Sequence, residues 1–364
     1  MANISAVESG KTYKGTAGKD VINIPLPAGS GITVNALGGN DVITVSGGKS
    51  IKIYAGAGRD TVTVTKGGLG LVNLGAGKNS ITVKGGVVRT ITGGAGADTI
   101  IVTKQRTVNI KAGGGNNVIN VTGINNSETA SEVTKGTIVS GAGQDKITIN
   151  SGGFYKITTG AGKDTVRING GSHIIRTGAG NDIIRINSAR ANYLEAGAGN
   201  DTITLNGYTS YNKIVGGAGN DKFYINNTSL NLVEGGTGND TYTVASLYGE
   251  TVIDNSTASK SDKDTLVIKG SINDVYALAY DKSRDILMCN EIYIKGFKKL
   301  SSITVSDSSG KYSASANEII KQAYSFDLSG VNTELNTYNK NLNTIMTKGF
   351  TTNFLANSAG YSYK

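Results

Sequence analysis

The residues of this chain best placed to do chemistry are ten aspartates and two asparagines that close short glycine-rich loops. They are Asp20, Asp41, Asp60, Asn79, Asp98, Asn117, Asp145, Asp164, Asp182, Asp201, Asp221 and Asp240. Nine of the eleven spacings between them lie within 18 to 20 residues, and the other two are 21 and 28. The fourth position of every loop is Gly, from Gly18 to Gly238. Glycine takes positive φ at little cost, so such a turn can aim its carbonyls inward. The closing Asp adds a carboxylate to that ring of oxygens. Hard cations such as Ca2+ take roughly six to eight oxygens at about 2.3–2.6 Å. One loop supplies too few, so several Ca2+ ions are expected between successive loops, each shared by two.

A lone Gly-x-Asp is ordinarily no more than a turn, whereas twelve in register make a repeated site. Seven of the eleven gaps have Asp on both sides, and five of those run consecutively from Asp145 to Asp240. In that run Gly143, Gly162, Gly180, Gly199, Gly219 and Gly238 are the expected backbone members of the sites. Asn79 and Asn117 keep an oxygen but lose a charge, so the four gaps touching them are expected to bind more weakly.

Other chemistry finds little footing. A single histidine rules out a two-histidine zinc-protease motif, and neither a G-x-S-x-G elbow nor a P-loop lysine motif is present. His173 sits beside a turn and reads as packed. Cys289 stands alone, so it forms no intrachain disulfide, and it reads as a buried residue. No motif excludes a carboxylate glycosidase, but nearly all aspartates of the repeats are assigned to loops. The chain is expected not to be an enzyme.

The elements that must position the loops follow from the same period. After each Asp comes an alternating x-U-x-U strand, as in Thr61-Val62-Thr63-Val64. A second turn follows, often Gly-Gly, and then a second strand whose inward residue lies two before the next loop. That row is Val34, Ile53, Val72, Ile91, Ile110, Ile138, Ile157, Ile175, Leu194, Ile214 and Val233. Such short strands bury their inner faces only by stacking, so the repeats predict an all-β parallel β-solenoid, a β-roll or β-helix of about 12 coils. The composition agrees, with 52 Gly and 2 Pro and without a G-X-Y triplet.

Gly-Gly-Ala-Gly-Asn-Asp-Lys-Phe-Tyr (216–224) and Gly-Gly-Thr-Gly-Asn-Asp-Thr-Tyr-Thr (235–243) resemble the RTX, or haemolysin-type, calcium-binding nonapeptide G-G-x-G-x-D-x-U-x. The resemblance covers roughly residues 14–244 and implies Ca2+ bound in a parallel β-roll of a secreted or cell-surface bacterial protein. Standard arrays of that family carry a calcium loop at both turns of a coil. This chain has one per 19 residues, which resembles one-sided calcium solenoids, including an ice-binding region of a bacterial adhesin.

The expected organisation is a calcium-binding solenoid over 1–244, a β cap over 245–312 and a helical tail over 313–364. An insertion beginning at Gly123 reads as an exposed loop. The cap strands are expected at 264–268, 284–287, 292–297 and 300–305. Val331, Leu335, Tyr338, Leu342 and Ile345 form one apolar stripe of an amphipathic helix. By resemblance that tail is either an uncleaved signal for the type I secretion machinery or a helix over the open end. The start lacks a Sec-type leader pattern, and no apolar run is long enough to span a membrane.

The net charge of +9 is unexpected for such a chain. Lys146, Arg167 and Arg185 should face outward on one sheet, and Lys156 and Arg176 on the other. The partner this suggests, besides Ca2+, is an acidic glycan or another cell-surface polyanion. No specific nucleic-acid module is visible. Ice binding calls for unbroken Thr rows, and the row Thr44, Thr63, Thr82 is interrupted later by Ile101, Arg167, Arg185 and Tyr224.

Overall fold

Alternation of β-branched and polar residues makes each repeat two short strands, one side chain in and the next out. The structure, a computed structural model, describes residues 1–105, 107–123, 135–150, 152–190, 192–207, 209–226, 228, 230–245, 249–259, 261–270, 278–281, 285–306, 311–315 and 324–325. The body of the insertion after Gly123 and the apolar stripe of the tail lie outside the described residues. The fold is an all-β parallel β-solenoid of about 12 turns. Helix among the described residues amounts to one 3-10 turn, Phe297–Lys299, and none is long and apolar enough to cross a membrane.

The chain divides into two compact units, residues 1–125 with 134–184, and residues 126–133 with 185–364. In the first unit, nine strands from Asn3–Ser5 to Thr165–Ile168 each pair in parallel with the strand one turn on. A facing series of ten, in which Val87–Val88 and Thr90–Ala95 share one turn, runs from Thr12–Lys14 to Ser172–Ala179. The Thr row falls in one column, with Thr44 opposite Thr63 and Thr63 opposite Thr82, and Ile101 breaks it.

In the second unit, Thr202–Asn206, Lys222–Asn226, Thr241–Val244, Asp264–Lys269 and Leu300–Ser306 pair in parallel, and Lys311–Ala314 closes that series antiparallel. Tyr193–Ala198, Lys213–Ala218, Asn231–Thr237, Thr251–Asp254 and Ile292–Lys295 form the other series. It ends in antiparallel strands Ile286–Cys289 and Leu278–Asp281. The thiol of Cys289 is buried there.

The cores are Ile and Val stacked in rows, and the inward row from Val34 to Val233 is buried throughout. In the first unit, Val108, Gly136, Tyr155 and His173 share one inward column at the second turn. A methyl at Gly136 would come within 2.9 Å of the Tyr155 ring, so the missing side chain makes room for it. His173 is packed: Nδ1 accepts from the Tyr155 N–H at 3.1 Å, and Nε2 lies 2.8 Å from the Gly170 carbonyl, to which it donates. Its ring stacks on Tyr155, and burial lowers its pKa to about 4. In the second unit the corresponding polar groups are a buried amide ladder, Asn192, Asn212 and Asn231.

Candidate metal centre

The loop glycines set how closely successive turns approach. Gly58 has φ of +140°, and a Cβ there would lie 1.7 Å from the carbonyl oxygen of Gly39, one turn before. Backbone at this position is therefore stacked on backbone, with no room for a side chain. Gly18, at the end turn, differs: nothing lies within 3.9 Å of its Cβ position.

Each loop carboxylate is divided between two jobs. Oδ1 accepts the N–H of the closing residue one turn earlier. Asp41 takes the Asp20 N–H at 2.7 Å, Asp60 that of Asp41 at 2.8 Å, and Asp164 that of Asp145 at 2.8 Å. The same ladder runs in the second unit from Asp201 through Asp221 and Asp240 to Asp264, at 2.7–2.8 Å. Asp264 is thus a thirteenth rung. Exposed loop asparagines form a parallel ladder, in which Asn200 accepts the Asn220 N–H and Asn220 that of Asn239, both at 2.7 Å.

The second oxygen has no such partner. Oδ2 is buried at Asp41, Asp60, Asp98, Asp145, Asp164, Asp221, Asp240 and Asp264, and at Asp41, Asp60, Asp145, Asp221 and Asp240 it receives no hydrogen bond. It turns inward beneath the first loop residue. A methyl at Gly93 would sit 2.5 Å from Asp98 Oδ2 and 2.2 Å from the Ala112 carbonyl oxygen of the next turn. At Gly216 the pair is Asp221 Oδ2 at 2.3 Å and the Gly235 carbonyl oxygen at 2.6 Å. Carboxylate and carbonyl oxygens therefore converge without a hydrogen between them. A buried anion facing acceptors is costly unless a cation or a proton joins it.

Burial pushes the Asp41 and Asp60 carboxyls up, Asp98 and Asp221 to about 6 and Asp240 to about 7. At Asp164 burial raises the pKa and the Thr159 hydroxyl partly offsets it. Asp20 is the exception among the loop aspartates: its Oδ2 takes the Thr16 N–H at 2.5 Å, its Oδ1 takes the Ala2 N–H, and its pKa is lowered, chiefly by the Thr16 bond.

The residues fit a hard cation by their donor set: all oxygen, one carboxylate per turn, with main-chain carbonyls alongside. Among the described residues no three His, Cys, Asp or Glu side chains gather, so an ion here must draw on carbonyls. A family model described as the RTX calcium-binding nonapeptide repeat (4 copies) matches three stretches, residues 90–102, 187–207 and 204–224. Over those stretches the chain is similar to RTX calcium-binding repeats. Each matched stretch of RTX repeat contains one complete loop, closing on Asp98, Asp201 and Asp221 respectively. No curated protein matches the chain.

The Asp and Gly residues singled out in the sequence all occupy equivalent loop positions. The expectation for Asn79 and Asn117 needs a finer statement. Their Oδ1 joins the same ladder, accepting the Asp60 and Asp98 N–H groups at 2.9 Å each. What they bring to the inner position is an amide nitrogen. Sequence reasoning missed the buried amide ladder and the hydroxyls of Ser140 and Thr159, which donate to the Thr159 and Thr177 carbonyls at 3.2 and 2.8 Å. The signal was available: Asn stands two before the inward residue in three successive turns, and Ser or Thr opens three successive loops.

Proposed function

We propose that this chain is a secreted or cell-surface structural or adhesive protein of bacterial origin, whose RTX turns bind Ca2+ and complete their folding on doing so. The observation that carries the reading is the row of buried Oδ2 atoms, which at Asp98 and Asp221 converge with a carbonyl oxygen of the next turn. Asp41, Asp60, Asp98, Asp145, Asp164, Asp221 and Asp240 would hold the ions, with loop carbonyls completing the shell. Bound Ca2+ would supply the positive charge that lets the carboxylates stay ionised in a low-dielectric edge. The protein's own contribution is to hold the oxygens in place: the Oδ1 ladder fixes each carboxylate, and the loop glycines bring successive turns close. In a calcium-poor cytoplasm the loops would repel and the chain stay loose, which suits export through type I machinery. Circular dichroism and equilibrium dialysis of the full chain test this: folding should sharpen on adding Ca2+, with several ions bound. A chain equally folded in EGTA that retains no calcium removes the reading.

A second reading, acidic-glycan binding, is favoured by charge. The first unit has Glu8 as its one acidic residue outside the loops, and Glu8 is paired with Lys11 at 2.7 Å. Lys146, Lys156 and Arg167 are exposed on its strands, and Arg176 is half-buried. With loop carboxylates neutralised by metal, that surface is almost purely cationic. Elution from immobilised heparin or alginate below about physiological salt would argue against it.

A further inference from the structure

Two turns of the first unit close on asparagine, and they serve as an internal comparison for the rest. The orientation of each amide is fixed by its neighbours. The Asp60 and Asp98 N–H groups need an acceptor, so the side-chain oxygen must face them, at 2.9 Å in both cases. Nδ2 is thereby sent to the place that Oδ2 occupies in the aspartate turns. There it donates: Asn117 Nδ2 to the Gly115 carbonyl at 3.0 Å and the Ser140 carbonyl at 3.3 Å, Asn79 Nδ2 to the Gly77 carbonyl at 3.3 Å. Ser140 opens the next loop, as Ala112 does for the Asp98 turn. The remaining ladder is unchanged, since the Asn79 and Asn117 N–H groups donate to Asp98 and Asp145 Oδ1 at 2.8 and 2.7 Å. The local difference is an NH2 in place of an anionic oxygen.

We infer that Asn79 and Asn117 are metal-independent turns, in which the side-chain amide does the bridging that a bound Ca2+ does in the aspartate turns. This rests on the calcium reading above. An amide has two hydrogens and no charge, so it satisfies the loop carbonyls without an ion and adds nothing to repulsion along the edge when calcium is scarce. The cation array of the first unit is therefore interrupted at two defined turns, which hold their register in the metal-free chain.

The test uses the full chain, counting bound calcium by native mass spectrometry and equilibrium dialysis, and following thermal unfolding in EGTA and in Ca2+. Asn117→Asp should bind one ion more than the parent. Its melting temperature in EGTA should fall by several degrees, and calcium should restore it. Asp98→Asn is the reciprocal variant, and should bind one ion fewer and lose less stability in EGTA. Unchanged ion counts in both variants, with the parent binding calcium, overturn the inference. So does an Asn117→Asp protein as stable in EGTA as its parent. A parent that binds no calcium would instead overturn the proposed function, and so the two failures are distinguishable.

Discussion

The loop glycines do different work at different turns, although they are alike in the sequence. At Gly58 a side chain meets two obstacles together, a φ of +140° and the Gly39 carbonyl oxygen at 1.7 Å. Backbone cannot move aside without opening the turn stack, so Gly58→Ala should cost about 3 kcal/mol or more. Gly18→Ala, with nothing within 3.9 Å, should change stability by less than about 0.5 kcal/mol. Denaturant melts of both variants in saturating Ca2+ check this, and equal losses would contradict the backbone-contact argument. At the same scale, Asp and Asn are nearly equivalent as text, both oxygen-bearing and short. Only the ladder shows that one of their two terminal atoms is already spoken for. The other then decides between an anion and a donor, a distinction that depends on the neighbouring turns and is not visible in the residue types alone.

Strands were the most legible elements. A row of Ile, Val and Leu two residues before each loop predicted the inner face, and every member from Val34 to Val233 is buried. Period-2 alternation suffices for this because a one-residue slip would turn the row to solvent. The polar corner of the second unit was less legible, because its meaning depends on partners about one turn away. Asn212 Oδ1 accepts both the main-chain N–H of Asn192, at 3.0 Å, and its side-chain amide, at 2.9 Å. Asn212 Nδ2 in turn donates to Asn231 Oδ1 at 2.7 Å. Asn212→Ala would leave two buried donors of Asn192 without that acceptor and the Asn231 oxygen short of a donor. The expected loss is roughly 2–4 kcal/mol, larger than for an exposed asparagine. Asn200→Ala, in the exposed loop ladder, should lose under about 1 kcal/mol. Comparable melts for the two variants would show that the inner ladder carries no special weight.

Summed over the molecule, the buried carboxylates tie folding to protons as well as to calcium. Without metal, burial raises Asp98 and Asp221 to about 6 and Asp240 to about 7, against roughly 3.9 in an unfolded chain. Between about pH 4 and 7 the folded state then holds more protons than the unfolded one. The stability these groups contribute is present at the acid end and is lost as pH rises through 6 to 7. In EDTA the melting temperature should therefore fall from pH 5 to pH 8. Saturating Ca2+ replaces the protons and should close that gap, mainly by raising the pH 8 value. Calcium added near pH 6.5 should also release protons, measurable by calorimetry in buffers of different ionisation enthalpy. A metal-free melting temperature that stays level or rises from pH 5 to pH 8 would mean the inner oxygens meet water in solution. The edge would then have no unmet charge for an ion to neutralise.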